Sequence, residues 1–375
     1  MIIRSLLLKL QSIQYQNFRN HPFLFFTPGE GINLIYGPNG SGKTSLLEGI
    51  HYCAMTRGFV STNDNECLSF AKDFFLLESS FLNEIETQIT VKVTYTKDKE
   101  KQIIVNNSET RPFSRHIGRV PCITFSPEEI IIVNGSPGER RRFIDTAISQ
   151  TNRRYLDDLL AYRRVLSQRN AFLLQLHDDR TVHKEMLPFW NETLSRLAAT
   201  IVHTRLLFIT SFIKLFKEVY ATLSKYEFPS IMYRSSFGNI TSDILPNDLY
   251  TLFLLKYEES ERTEIFRAQT LYGPHRDDLI FYLNDKEIKK YASQGQLRTF
   301  LIALKLAQYR FFFDTIGEKP LCLLDDIFSE LDSTRVADIF AILQTCGQSI
   351  ITSTEAKGMG NVNAIAVDSL KITRE

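Results

Sequence analysis

The chain has 375 residues, a formal net charge of +1 and 43% hydrophobic residues, an ordinary globular composition with room for two or three domains. So small a net charge gives no general attraction to nucleic acid or to an anionic membrane; such binding has to come from local patches. No apolar run reaches the roughly 18–20 residues that span a bilayer. Met1 to Leu10 is too short for a secretory signal, and Cys53, Cys67, Cys122, Cys322 and Cys346 form no CxxC pair, so the expectation is a reduced, cytoplasmic protein without structural zinc.

In chain order, Leu10 to Phe18 and Phe23 to Phe26 read as strands, and Ile32 to Tyr36 as a buried strand. Gly37-Pro38-Asn39-Gly40-Ser41-Gly42-Lys43-Thr44 follows, with the spacing of a phosphate-binding loop. Thr44 to Tyr52 then reads as a helix with Leu46, Leu47 and Ile50 on one face. Strand, glycine loop and helix is the context this pattern needs. Glycines let backbone N–H groups curl round a phosphate, and the helix N-terminus adds a positive dipole end. Lys43 is placed to reach the outer phosphates of a nucleoside triphosphate and Thr44 to hold Mg²⁺. Phe74 to Phe81, Thr87 to Thr96 and Gln102 to Val105 suggest an antiparallel sheet, with a hairpin turn at Val105-Asn106-Asn107-Ser108.

From Gly138 to about Tyr226 the pattern is helical, with no glycine between Gly138 and Gly238. Apolar residues at helical spacing predict two long antiparallel helices with a turn near Asp178 to Pro188. Arg142, Arg153 and Arg164 are spaced by 11 residues, which brings them close to one face if the helix is continuous, at about 3.6 residues per turn. Arg141, Arg154, Arg163 and Arg169 widen the stripe. Such a stripe could track DNA phosphates; a solvated helix face with Asp157 and Asp158 as local partners is the equal alternative. His275 and Arg276 serve either the nucleotide site or a turn after Gly273-Pro274, the structural role being the commoner one for a single histidine.

From Ile265 the order reads strand, turn, strand, helix, strand, helix, strand. Leu321-Cys322-Leu323-Leu324-Asp325-Asp326 is an apolar strand ending in two acids. Beside a phosphate loop, Asp325 falls where a carboxylate holds Mg²⁺, and Asp326 where one orients or deprotonates the attacking water. Ser293-Gln294-Gly295-Gln296 opens a helix one element upstream. Alone it is an ordinary N-cap, Ser293 capping and Gln296 completing a capping box. In this position the order resembles that of ABC-type ATPases, whose signature Ser and Gly clamp the γ-phosphate of ATP held by the other subunit. Ser329-Glu330-Leu331-Asp332 lies where their D-loop falls. Ser349 to Thr354 reads as a core strand ending in hydroxyls, without the histidine of transporters. Phe125-Ser126-Pro127-Glu128 occupies the Q-loop place without a glutamine.

The whole set resembles the RecF family of bacterial recombination mediators, relatives of SMC-type heads, over nearly the full chain. The resemblance rests on Asn17-Phe18-Arg19-Asn20, the phosphate loop with Leu46-Leu47-Glu48, Arg57-Gly58-Phe59, Pro127-Glu128, and Pro137 with Arg140-Arg141-Arg142-Phe143-Ile144-Asp145. It continues through Tyr162-Arg163-Arg164-Val165-Leu166-Ser167-Gln168-Arg169-Asn170, Gly273-Pro274-His275-Arg276-Asp277-Asp278-Leu279, the Ser293 turn and Leu324-Asp325-Asp326. Leu297 stands where the family often has a second glutamine, and several residues precede the usual start.

The resemblance implies an α/β, ABC-type P-loop ATPase head with a mixed sheet and an inserted all-helical, coiled-coil-like domain. The expected division is 1–136 and 263–375 for the head and 137–262 for the insertion. The implied protein is an ATP-dependent DNA clamp of replication and repair, active in DNA damage and the SOS response. It binds DNA near gaps, dimerises around ATP and Mg²⁺, hydrolyses ATP weakly as a switch, and helps load RecA with RecO and RecR. Gly37 to Thr44, Ser293, Gly295 and Gln296 bind ATP, Thr44 and Asp325 the metal, and Lys43 and Asp326 serve hydrolysis. A transporter-type subunit and a short SMC-like tether are the alternatives. Some 80 helical residues folded back once reach only about 60 Å, far too short for a long arm.

Overall fold

The computed structural model describes residues 8–61, 63–83, 87–179, 181–238, 240–328, 333–355 and 362–370. The Ser329–Asp332 segment lies outside them, as do residues 1–7. The first part runs β1 (Lys9–Phe18), β2 (His21–Phe26), β3 (Ile32–Tyr36), α1 (Lys43–Met55), β4 (Phe74–Leu82), β5 (Gln88–Thr96), β6 (Lys101–Val105), β7 (Ser108–Glu109) and β8 (Cys122–Phe125). The middle part runs α2 (Ile131–Asn134), α3 (Pro137–Thr151), α4 (Arg153–Asp178), α5 (Leu187–Leu223), β9 (Pro229–Arg234), α6 (Pro246–Arg267), β10 (Asp278–Leu283), β11 (Lys286–Glu287) and α7 (Ile288–Tyr291). The last part is α8 (Gln294–Ile316), β12 (Leu321–Leu324), α9 (Ser333–Thr345), β13 (Ser349–Ser353) and β14 (Asn363–Ala366).

These elements form two compact units, Met1–Glu129 with Leu304–Glu375, and Ile130–Ala303. The first holds two sheets. A parallel sheet has the order β14-β3-β13-β12-β8, and an antiparallel one the order β2-β1-β4-β5-β6-β7. In the parallel sheet β12 is wholly apolar, β3 is apolar but for Asn33, β13 has an Ile350-Ile351 centre flanked by hydroxyl residues, and all three are buried, as strands covered on both faces must be. The antiparallel strands alternate: Leu10, Ile13, Tyr15 and Phe18 of β1 and Phe75, Leu77 and Phe81 of β4 are buried. Helix α1 contributes Leu46, Leu47 and Ile50 to the same core. The hairpin turn at Asn106-Asn107 has φ of 48° and 61°, the left-handed pair that a two-residue turn needs.

In the second unit α4 and α5 pack antiparallel: Arg169 meets Asn191 and Tyr155 meets Arg205, pairs whose numbers run in opposite directions. By length and composition α5 could cross a membrane, with a mean hydropathy of 1.4 over 18 residues. Half of that window is buried inside the protein, and Arg205 within the helix is buried and paired with Asp145 at 2.7 Å. Those are marks of a core helix.

Two sequence expectations change. The strand expected from Ile265 is the end of α6, which stops where Ala268 turns left-handed at φ 51°. Its buried stripe is Leu249, Phe253, Tyr257, Ser260 and Glu264, and the two polar members break the apolar period that would have revealed it. The helix carrying the arginines is not continuous. Asn152 is extended, and its side chain accepts the Tyr155 N–H to start α4 afresh. Arg142 therefore lies on a different helix from Arg153 and Arg164. The contact division also differs from the one expected at 136 and 262. Strand β10 pairs with β9, and Arg140 holds Asp278 at 2.8 Å, so residues 278–287 belong with the helices.

Candidate nucleotide site

Strand β3 delivers the phosphate loop and α1 leaves it, with the loop at the C-terminal end of a parallel strand. Gly42 needs to be glycine: its φ is +102°, and a Cβ there would lie 2.5 Å from the His21 ring. His21 contacts the Gly42 carbonyl at 2.9 Å, and Asn20 donates to the Gly40 carbonyl at 3.3 Å, so the β1–β2 turn buttresses the loop. Behind it Arg19 clamps the buried Glu48 of α1 through two hydrogen bonds of 2.7 and 2.8 Å. No local sequence pattern marks the residues of the β1–β2 turn for this role.

Lys43 is buried, and its ammonium donates to the Gly37 and Pro38 carbonyls at 2.8 and 2.9 Å. These are neutral partners for a full charge, which phosphate oxygens would replace with ionic ones. Thr44 donates its hydroxyl between the two carboxylate oxygens of Asp325, at 3.0 and 2.9 Å. The order β3-β13-β12 makes this meeting possible, because one strand alone separates loop and acid. The cleft between them is lined by Asn20, Asn39, Gly40, Gly42, Lys43, Thr44, Ser45, Asp325 and Asp326.

The intervening strand supplies a residue whose role the sequence did not show. Thr352 of β13 donates to Asp325 Oδ1 at 2.6 Å, and the same hydroxyl oxygen accepts the Asp326 N–H at 3.0 Å. One buried hydroxyl thus fixes both acids, and the chain turns left-handed at Asp326, φ 44°. Burial raises the Asp325 carboxyl above its ordinary range, the Thr352 and Thr44 hydroxyls pull it back, and the nearby Glu128 and Asp326 charges push it up further. At the Q-loop place, Glu129 accepts from Thr124, the Ser126 N–H and the Lys305 ammonium.

Ser293, Gly295 and Gln296 lie in the second unit, at the start of α8. Their arrangement is a capping box: the Gln296 N–H donates to Ser293 Oγ at 3.3 Å, and the Ser293 N–H to Gln296 Oε1 at 2.9 Å. Ser293 keeps its hydroxyl proton, and the first helical N–H groups have no intrahelical acceptor.

His275, Arg169 and Arg141 spend their polar groups on contacts within this unit. Burial pushes His275 down to about 4, and its ring contacts the Tyr162 hydroxyl at 2.6 Å and the Thr270 carbonyl at 3.2 Å. Arg169 is fully buried on Glu264, Asn191 and Thr270, and half-buried Arg141 donates to the Asp277 carbonyl at 2.7 Å. Both leave the proposed surface stripe. Arg142 and Arg153 are exposed and pair with Glu139 and Asp157; Arg164 is exposed, with no ion pair among the described residues.

A glycine loop closed on an acid-ended strand, in a parallel sheet with an antiparallel sheet beside it and a helical insertion, defines a P-loop ATPase head. A family profile described as an AAA domain matches residues 12–227. DNA replication and repair proteins RecF of Chlorobium luteolum and Chlorobaculum tepidum are 50% and 47% identical to the chain. The matches span 97% and 98% of this chain and 98% and 100% of those relatives. The solved structure of the recombination mediator protein RecF with ATP in the RecFOR pathway superimposes with a TM-score of 0.88 at 29% identity, over 96% of this chain and 99% of that one. An Smc head domain from Pyrococcus furiosus matches at a TM-score of 0.52 and 14% identity over 93% and 90%, a likeness of fold alone. The chain belongs to the RecF family of DNA replication and repair proteins.

Proposed function

We propose that this chain is an ATP-switched DNA clamp of recombinational repair, in which ATP joins two copies, the closed pair holds DNA, and slow hydrolysis releases it. The observation that carries this reading is the Ser293 turn. It is a helix N-terminus with a serine proton and unused N–H donors, the donor set that suits an anion, in the unit that does not contain the phosphate loop. A triphosphate bound at Gly37–Thr44 of one copy supplies that anion to the other. In this reading the loop N–H groups and Lys43 hold the phosphates. Thr44 and Asp325 hold Mg²⁺, their convergent hydroxyl and carboxylate oxygens being the hard donors that ion takes. The metal's contribution is to neutralise phosphate charge. Asp326 orients the attacking water, and its arm, shorter than that of glutamate, is compatible with slow turnover.

Arg153 and Arg164 of α4 are 11 residues apart on one helix and exposed, which supports a role in tracking DNA phosphates; Arg142 of α3 joins them as a separate contact. The local pairs of Arg142 and Arg153 are exposed i,i+3 and i,i+4 pairs, worth little and readily exchanged for phosphate. Following the RecFOR context of its relatives, the chain acts in the cytoplasm with RecO- and RecR-type partners to load RecA at gaps.

The test measures self-association and duplex binding with and without ATP and Mg²⁺ for wild type, Lys43→Ala and Ser293→Arg. Wild type is expected to dimerise and to bind DNA at least about 10-fold tighter with ATP, with a strong salt dependence. Lys43→Ala should lose nucleotide affinity, whereas Ser293→Arg should keep it and lose dimerisation. A wild type indifferent to ATP ends the clamp reading, and a Ser293→Arg protein that dimerises normally ends the role given to the turn.

A further inference from the structure

The Ser293 turn is held by Glu227, a residue outside every motif. Gln296 uses both ends of its side chain: the oxygen accepts the Ser293 N–H at 2.9 Å, and the nitrogen donates to Glu227 Oε1 at 2.7 Å. Glu227 Oε2 accepts the Tyr220 hydroxyl at 2.8 Å. Tyr220 lies in the last turn of α5, fully buried, with its ring against Phe216 and Phe300. Glu227 itself sits in the short connection between α5 and β9.

A carboxylate accepts and does not donate, so Glu227 decides which end of the Gln296 amide faces it. The NH₂ must turn to Glu227, and the oxygen is then left facing the Ser293 N–H. The reverse orientation would set the Gln296 NH₂ against the Ser293 N–H, two donors with no acceptor, and open the cap. With the cap closed, Ser293 Oγ accepts the Gln296 N–H and its own proton is available to an incoming anion.

We propose that Glu227 is a positioning residue for the phosphate-clamping turn. It fixes the Gln296 amide, keeps the Ser293 cap closed, and ties the turn through Tyr220 to the end of the long helix α5. This rests on the reading of the Ser293 turn as the clamp for a second copy's nucleotide. The connection gives that turn a link to the helical hairpin: a load that shifts the end of α5 acts on Glu227 before anything else in the turn.

The decisive variant is Glu227→Lys, in which a donor replaces an acceptor and forces the amide round. Amide hydrogen exchange in the nucleotide-free protein is expected to speed up about 10-fold across 293–297. ATP-dependent dimerisation should weaken by about the same factor while the affinity of the monomer for ATP stays within about 3-fold. Adding Gln296→Glu restores an acceptor toward both the introduced ammonium and the Ser293 N–H, and should return exchange in the nucleotide-free protein to near wild type; because it sets a carboxylate in the phosphate-clamping turn, it is read by exchange and not by dimerisation. A side chain that merely fills space would not be rescued in this way. Unchanged exchange in Glu227→Lys, or no rescue by Gln296→Glu in a protein of native melting temperature, overturns the proposal. Exchange that responds as expected in a wild type that does not dimerise with ATP upholds the positioning and removes the clamp reading beneath it.

Discussion

The nucleotide cleft of the first unit and the interior of the second both bury charge, but they hold it differently; elsewhere in the first unit Arg19–Glu48 and Lys305–Glu129 are ordinary ion pairs. In the second unit Arg169 is fully buried among ionic and neutral acceptors, with Glu264 at 2.6 Å and the Tyr257 ring 4.7 Å from its guanidinium carbon. Arg205 takes the Asp145 carboxylate at 2.7 Å and the Pro274 carbonyl at 2.7 Å, and Arg140 takes Asp278. Each cation meets an anion of its own chain. In the first unit, the buried Lys43 has main-chain carbonyls, and Asp325 has the hydroxyls of Thr44 and Thr352. Neutral partners satisfy the geometry of these hydrogen bonds and leave the net charges standing. Saturated pairs make a rigid frame, and charges held on neutral partners wait for a ligand of opposite sign.

The largest effects should fall on opposite properties in the two units. Arg169→Met leaves Glu264 buried and unpaired and should cost about 3–5 kcal/mol of stability. Denaturant unfolding should register that loss while the affinity for ATP, measured below the transition, stays native. Lys43→Ala should reverse the pattern, with little change in unfolding and a loss of roughly 100-fold in ATP affinity, the equivalent of one or two charge-assisted hydrogen bonds. A large loss of nucleotide affinity in Arg169→Met at full foldedness would erase the distinction. Thr352→Val, which keeps shape and removes the hydroxyl, is the next step down. It releases Asp325 and Asp326 together and should lower kcat about 10-fold, from roughly 1–2 kcal/mol of lost hydrogen bonding, with KM for ATP nearly unchanged. Thr352→Ser should recover most of the rate. An equal rise in KM would assign Thr352 to binding instead.

The sequence showed the first unit better than the second for the same reason. The phosphate loop and the acid-ended strand are contiguous, and their residue types follow from the chemistry of a phosphate and a cation, so Gly37–Thr44 and Asp325 could be read locally. The alternating strands of the antiparallel sheet were visible because water on one side enforces a period of two. The buried pairs of the second unit join residues such as Arg169 and Glu264, 95 positions apart, and nothing local marks either as internal. Arg169 therefore looked like one more surface arginine. Glu264 and Ser260 hid the α6 stripe in the same way. Asn20 and Thr352 fall between these cases: each lies in a recognisable segment of the sequence, and only the fold shows which atoms they hold.

Asp325 gives the smallest and sharpest test of the comparison. Its folded carboxyl titrates above the ordinary value near 3.9, because burial opposes the charge more than two hydroxyls restore it. An acid whose pKa is raised on folding binds more protons in the native state across the interval between the unfolded and folded values. Stability contributed by this group is therefore present at the acid end and lost as pH rises through that interval. At neutral pH the nucleotide-free protein carries the cost of an ionised Asp325 without a cation. Asp325→Asn removes that cost, since an amide oxygen still accepts from Thr352 and the amide nitrogen can donate to Thr44. Thermal unfolding without nucleotide from about pH 4 to pH 8 should show the Asn protein more stable than wild type at the upper end and the difference shrinking toward the lower. The same substitution should abolish the stabilisation that Mg²⁺ with ATP confers on wild type. If Asp325→Asn is instead less stable at neutral pH, the carboxylate is already compensated within its own unit, and the site is as saturated as the frame around Arg169.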